Sequence, residues 1–219
     1  MQASINVVTQ WYRETLDNDA LTFYSIWRNA LRKFAPDVPI MMIHNGGPTE
    51  PPFSDIEIVP AIGMAPHERG AFGHYHNCWK SMTYAWELSR LRGISCSVFI
   101  GQNLIVGVPF VEDCARALLN ADILFNTGCL GPGLAFTEYI AVNPMRTEAL
   151  SKEIYRKDMV LLEAMLPIWS NRHRLREAPF PNLWRPRDVD FDPVHTFAYH
   201  LGLKDVLKFA AQREIPISS

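Results

Sequence analysis

Three groups of side chains have the types and spacing to do chemistry. Arg69, Gly70 and Gly73 open the stretch RGAFGHYHN. Glycines there let backbone N–H groups approach an anion near a helix N-terminus, and Arg69 adds a bidentate donor. A plain surface loop with a solvated arginine is the competing reading, and Lys80, one turn on, is either a further anion contact or merely exposed. His74 and His76 flank Tyr75 and, with His67, form a dense histidine cluster. They could hold zinc if His195, His200 or an acid supplied a third ligand, although loop histidines more often hydrogen-bond backbone or phosphate. The third group is Gly101-Gln102-Asn103, a polar break inside an apolar run.

Periodicity indicates the elements that position these groups. Tyr75, Trp79, Met82 and Trp86 follow one another at helical spacing, and Gly93 ends that helix. Ile94 to Ile100 is short and rich in Val, Ile and Phe, as a buried strand is, and Leu104-Ile105-Val106 resumes after the polar triplet. A loop, a helix, a buried strand and a polar break place ligand-binding groups outside the carboxyl end of a sheet.

Upstream, Ile5 to Val8 reads as a strand that delivers Thr9-Gln10-Trp11-Tyr12 to a loop. Asp17-Asn18-Asp19 caps a helix carrying Leu21, Tyr24, Ile26, Trp27, Leu31 and Phe34 as far as Pro36. Ile40 to Ile43 is a second buried strand closed by His44-Asn45-Gly46-Gly47-Pro48, which completes a parallel βαβ unit. Asp55 to Val59 alternates as an edge strand does.

Downstream, Pro109 and Glu112-Asp113 open a helix running to Asn120, and Ile123 to Phe125 is another strand. A turn-forming loop then leads to a strand from Leu134 to Val142 that carries Thr137 and Glu138. Thr147 to Ile168 has the pattern of a long amphipathic helix. Asn171 to Pro193 is rich in Arg and Pro and reads as an arm or lid without regular structure. A last helix is expected around His195 to Arg213.

Composition bounds the partners. The chain has 219 residues, 48% of them hydrophobic, enough for one sizeable core and one domain. Twenty-one basic against twenty-three acidic residues leave a formal net charge of -2, with no electrostatic footprint for nucleic acid. Cys78, Cys96, Cys114 and Cys129 are scattered singly and read as buried thiols in a reducing compartment. The start of the sequence, MQASINVVTQWY, has no basic region of a secretory signal. The long apolar run from Ile94 is broken by Gly101, Gln102, Asn103, Gly107 and Pro109, which argues against a transmembrane segment. The expected location is the cytoplasm, with peripheral membrane contact and a homo-oligomer left open.

The stretch from Arg69 to Val106 resembles the nucleotide-sugar-binding half of a GT-A-fold glycosyltransferase. In that family a loop with Arg, Gly and Asn precedes a helix, and the next strand ends in an Asp-x-Asp motif with apolar flanks. Phe99-Ile100 and Leu104-Ile105-Val106 match the flanks, so Gly101 and Asn103 stand where the two aspartates would. The resemblance covers roughly Ile5 to Val142. It implies a single-domain α/β, Rossmann-like GT-A sheet, mostly parallel, with helices on both faces and a C-terminal helical extension. Residues 1–142 would be the nucleotide-sugar-binding core and 143–219 the acceptor-side helices and arm.

The resemblance also implies roles. Thr9, Gln10, Trp11, Tyr12 and Asn45 would meet base and ribose, and Arg69, Gly70, His76 and Asn77 the diphosphate. Trp11 and Tyr12 are as readily aromatics that cap the core. Glu138 is the candidate base for an acceptor hydroxyl, with Asp122 and Asp113 behind it, and His195 is a second catalytic candidate. An Asp-x-Asp motif works because carboxylates are hard oxygen ligands for a divalent cation that bridges the diphosphate. Glycine supplies no such ligand and amides are poor substitutes, so no metal at this motif is expected. The expected activity is sugar transfer from a nucleotide-diphosphate donor to a saccharide or other hydroxyl acceptor, and the alternative is a binding or assembly module that has lost the chemistry.

Overall fold

The computed structural model describes residues 4–61, 71–126, 139–147, 172–178, 183–184, 196–199 and 202–217; of residues 71–79, 183–184 and 199 it describes the backbone. The first βαβ unit forms as the sequence predicts. Strand β1 (Ile5–Trp11) is followed by helix α1 (Asn18–Phe34) and strand β2 (Ile40–His44). The Asp17 side chain accepts from the Ala20 N–H at 2.8 Å, satisfying one of the free donors of the first helical turn. Pro36 has no N–H with which to continue the helix, which ends at Phe34. Strand β1 is longer than expected and carries Thr9, Gln10 and Trp11 inside it rather than in a loop.

The elements that follow are β3 (Glu57–Pro60), α2 (Ala71–Leu91), β4 (Cys96–Ile100), β5 (Leu104–Val106), α3 (Val111–Ala117), β6 (Ile123–Phe125) and β7 (Tyr139–Val142). Then come β8 (Leu175–Glu177), β9 (Leu183–Trp184), β10 (Phe197–Tyr199) and the helix here called α4 (Leu203–Gln212). Seven strands form one sheet in the order β3-β2-β1-β4-β7-β6-β8. It is parallel except at β7, which runs antiparallel to both β4 and β6. A second sheet has the order β5-β10-β9.

The seven-stranded sheet is covered on both faces. Val7 and Trp11 of β1 pack with Tyr24 and Trp27 of α1, Cys114 of α3 and Phe209 of α4. Val8, between them, points the other way and packs with Met82, Ala85 and Trp86 of α2. The inner strands are largely buried on both sides, with mostly apolar side chains, as strands covered on both faces are. At the end of α2, Gly93 has φ of 70° and the Ile94 N–H bonds back to the Ser89 carbonyl at 2.9 Å. This left-handed C-cap is where a Cβ would be strained. None of the described helices is long and apolar enough to cross a membrane.

Several expectations need correction. Helix α2 already contains Gly73 to Asn77, where the sequence in part predicts a loop. Helix α3 stops at Ala117, because Leu119 and Asn120 bond three residues back in a tighter turn. The arm from Asn171 is not wholly irregular: Leu175–Glu177 adds a parallel edge strand to β6, with the Asp122 N–H on the Arg174 carbonyl at 2.8 Å and the Ala178 N–H on the Phe125 carbonyl at 2.6 Å. Three residues are too few to show a strand period among arginines. The last helix begins at Leu203, and Phe197 belongs to a strand instead. Residues 134–138 of the expected strand and 148–168 of the long helix lie outside the described residues.

Candidate functional site

Parallel strands β1, β2 and β4 end at the same edge of the sheet. From β1 the chain goes to β2 and β3 on one side, and β4 lies on the other. The order therefore reverses between β1 and β4, and the crevice outside their carboxyl ends is where an open α/β sheet binds ligands. Gln10 and Gly101-Gln102-Asn103 stand there.

Hydrogen bonds knit this edge together. Gln102 donates from Nε2 to the Gln10 carbonyl, and its Oε1 lies 3.5 Å from the Tyr24 hydroxyl. Arg13 donates from Nε to the same hydroxyl, and its guanidinium carbon sits 4.9 Å from the centre of the Tyr24 ring. The Gly101 carbonyl accepts from Trp27 Nε1 at 3.3 Å. Asn45, at the end of β2, donates from Nδ2 to Gln10 Oε1 at 3.2 Å, and its Oδ1 accepts from Ser81 of α2. One cleft of about 240 Å³ opens beside this network, lined by Arg13, Asp19, Ala20, Phe23, Tyr24, Asn103 and Leu203. Burial raises the Tyr24 phenol above its ordinary range, and the adjacent Arg13 charge offsets only part of that.

The structure treats the expected ligand residues unequally. Thr9 and Trp11 are fully buried. Trp11 donates from Nε1 to the Thr49 carbonyl at 2.8 Å and meets Tyr24 edge to face, so it is a core residue with no face for a base. Tyr12 is half-buried, against Gly47, where a Cβ would come 3.1 Å from the Tyr12 ring and from the Arg13 backbone nitrogen. Asn45 is buried with both ends of its amide engaged, so it positions Gln10 rather than presenting a free group. Gln102 is likewise engaged, and Asn103 lines the cleft.

Arg69, Gly70, Glu138 and His195 lie outside the described residues, and of His76 and Asn77 only the helical backbone is described. Of the reserve bases, Asp122 is not at this edge. Asp122 precedes β6, which is parallel to β4, and so lies at the opposite edge of the sheet, bonded to Arg174 at 2.9 Å. Asp113 pairs with Arg116 at 3.2 Å on the surface of α3.

Two contributors were not singled out from the sequence. Tyr24 fits the core face of α1 and its hydroxyl was invisible to periodicity. Arg13 simply follows Tyr12, and the signal that could have found it is its position just past a strand end.

A divalent cation, which the fold family implies, finds little here. Among the described residues no three His, Cys, Asp or Glu side chains gather in one place. The Gly101 carbonyl and Gln102 amide are already used, and Asp19 is the one carboxylate lining the cleft. These residues do not fit the cation.

No protein-family model matches the sequence, and no curated protein is similar to it in sequence. Solved structures are similar in fold. The galactosyltransferase LgtC, in complex with donor and acceptor sugar analogs, superposes with a TM-score of 0.51 at 8% identity, over 98% of this chain and 97% of that one. The glycosyltransferase GlyE of Streptococcus pneumoniae TIGR4 gives 0.56 at 8% identity, over 97% of this chain and 62% of that one. A glycosyltransferase involved in the glycosylation of the major capsid of PBCV-1 gives 0.55 at 9% identity, over 97% and 99%. At such identities the likeness is one of architecture: this chain has a GT-A-like glycosyltransferase fold.

Proposed function

We propose that the protein is a glycosyltransferase that takes a sugar from a nucleotide-diphosphate donor to a saccharide or other hydroxyl acceptor. The observation that carries this reading is the cleft at the β1/β4 reversal, with Arg13, Tyr24 and Asn103 on its walls, in a chain of this fold. Tyr12, Gln10 and Asn103 are the described groups nearest to hand for base and ribose, with Tyr12 taking the stacking role that buried Trp11 leaves. Arg69, Gly70, His76 and Asn77 are assigned to the diphosphate. Glu138 or His195 would accept the proton of the acceptor hydroxyl as its oxygen bonds to the sugar carbon and the nucleoside diphosphate departs. The reaction is proposed to need no metal at Gly101-Gln102-Asn103.

The replacement of both motif aspartates favours one other reading, a module that binds nucleotide sugars without transferring them. Incubation with UDP-, GDP-, CDP- and TDP-sugars, with release of nucleoside diphosphate followed with and without EDTA, separates the two. Release that survives EDTA and falls in Glu138→Ala or His195→Ala supports the transferase. Binding without release supports the module, and no binding of any donor overturns both.

A further inference from the structure

Arg13 is held in a way that packing alone does not require. Arg28 and Arg32 share Asp55, Arg92 holds Glu57 and Arg174 holds Asp122, each within ion-pair distance. Arg13 has no carboxylate within that distance among the described residues. Its Nε is bonded to the Tyr24 hydroxyl and its guanidinium carbon lies over the Tyr24 ring. Those two contacts hold the side chain on the wall of the cleft that Asn103 also lines, and neither uses Nη1 or Nη2, the pair that forms a fork for phosphate oxygens. Tyr24 is in turn 3.5 Å from Gln102 Oε1, which ties the arginine to the strand end where a GT-A fold would place its metal-binding carboxylates.

We propose that Arg13 is a cationic contact for the donor's diphosphate, in addition to Arg69, and takes over the charge neutralisation that the residues at Gly101-Gln102-Asn103 cannot recruit through a metal. This rests on the nucleotide-sugar reading above and adds to it a residue and a mode of recognition. Tyr24 acts through Arg13 as a positioning residue, and Asp19, on the same cleft, is an anion that opposes the ligand.

The test is calorimetry of UDP, GDP, CDP and TDP, and of the matching nucleosides, in EDTA and again with Mn²⁺. Variants are Arg13→Gln, which keeps most of the stem over Tyr24, Arg13→Lys, which keeps the charge without the fork, and Asp19→Asn. A nucleoside diphosphate that binds wild type in EDTA should bind Arg13→Gln about tenfold or more weakly, with Arg13→Lys between. Nucleoside affinity should not change, and Asp19→Asn should tighten the diphosphate. Circular dichroism and melting confirm that each variant is folded, and Arg13→Lys carries the comparison if Arg13→Gln is not. Equal diphosphate binding by wild type and the folded Arg13 variants overturns the assignment and leaves the nucleotide-sugar reading standing. So does wild-type binding that appears only with Mn²⁺. If wild type binds none of the four diphosphates under either condition, the nucleotide-sugar reading falls and this assignment with it.

Discussion

A single methyl group at Gly107 should do damage away from the cleft while still reaching it. A Cβ built there lies 2.7 Å from Phe209 Cζ and 2.8 Å from the Thr196 carbonyl oxygen. The difficulty is space rather than backbone freedom, since Gly46 and Gly93 are the described glycines with positive φ. The Phe209 ring belongs to α4 and could swing away, but the Thr196 oxygen is backbone and already accepts the Gly107 N–H at 2.8 Å. Overpacking of a close-packed core costs about 1–3 kcal/mol, and a contact with fixed backbone puts Gly107→Ala in the upper part of that range. For a chain of this size each kcal/mol moves the melting point about 2–4 °C, so a fall of roughly 4–12 °C is expected.

Helix α4 begins at Leu203 on the cleft wall, so displacement of the helix should also weaken nucleotide binding. Scanning calorimetry of Gly107→Ala, and of Gly107→Ala with Phe209→Leu, measures both contacts. The second change removes the ring contact and should restore only part of the loss, because the carbonyl contact remains. A single variant that melts within about 1 °C of wild type, or a pair that recovers fully, would refute this account of the joint between α4 and the second sheet.

Two further outcomes follow from charge and burial. Burial alone would raise the Asp55 carboxyl, but hydrogen bonds from Arg28 and Arg32 outweigh it and hold the folded pKa below the ordinary value; Asp122 is held down in the same way, chiefly by Arg174. Their contribution is full above the unfolded pKa of about 4 and is lost as pH falls through the lower folded values. Urea midpoints measured from neutral pH downward should therefore fall less steeply in Asp55→Asn and Asp122→Asn, and slopes equal to wild type would contradict this. Burial pushes the Cys114 thiol up to about 12 and raises Cys96 as well, so native protein treated with iodoacetamide near neutral pH should leave both peptides unlabelled by mass spectrometry. Rapid labelling of either would mean that the core opens readily.

The sequence made the first half of the fold legible because its signals are local. Asp17 before an amphipathic run, Pro36 after it and the apolar block Ile40 to Ile43 each specify an element without help from the rest of the chain. The same holds for Gly93 and the strand it precedes. What escaped was held by partners distant in sequence. Leu175 to Glu177 is a strand because β6 offers it a backbone ladder, and Phe197 is in a strand because β5 does. At the candidate site, the position of Gly101-Gln102-Asn103 at a strand end was readable from its polar break. The burial of Trp11 and the pairing of Arg13 with Tyr24 were not, since aromatic side chains at a strand end look alike whether they face core or ligand until the opposing helix is in place.

The pairing of β5 with β10 has a consequence for how the protein is made. Strand β5 lies at the edge of its sheet, and its backbone partner is Phe197–Tyr199, with Val106 opposite Phe197 and Leu104 opposite Tyr199. A contact closed over so long a loop forms late in folding, and on a ribosome it cannot form until almost the whole described chain has been synthesised. Until then Leu104-Ile105-Val106, all apolar and all buried in the finished protein, present unpaired N–H and carbonyl groups that another strand could take up. A chain stopped before Phe197 would thus carry an open edge in the middle of its sequence, and would meet chaperones and its own copies as an incomplete sheet rather than persist as a smaller working domain.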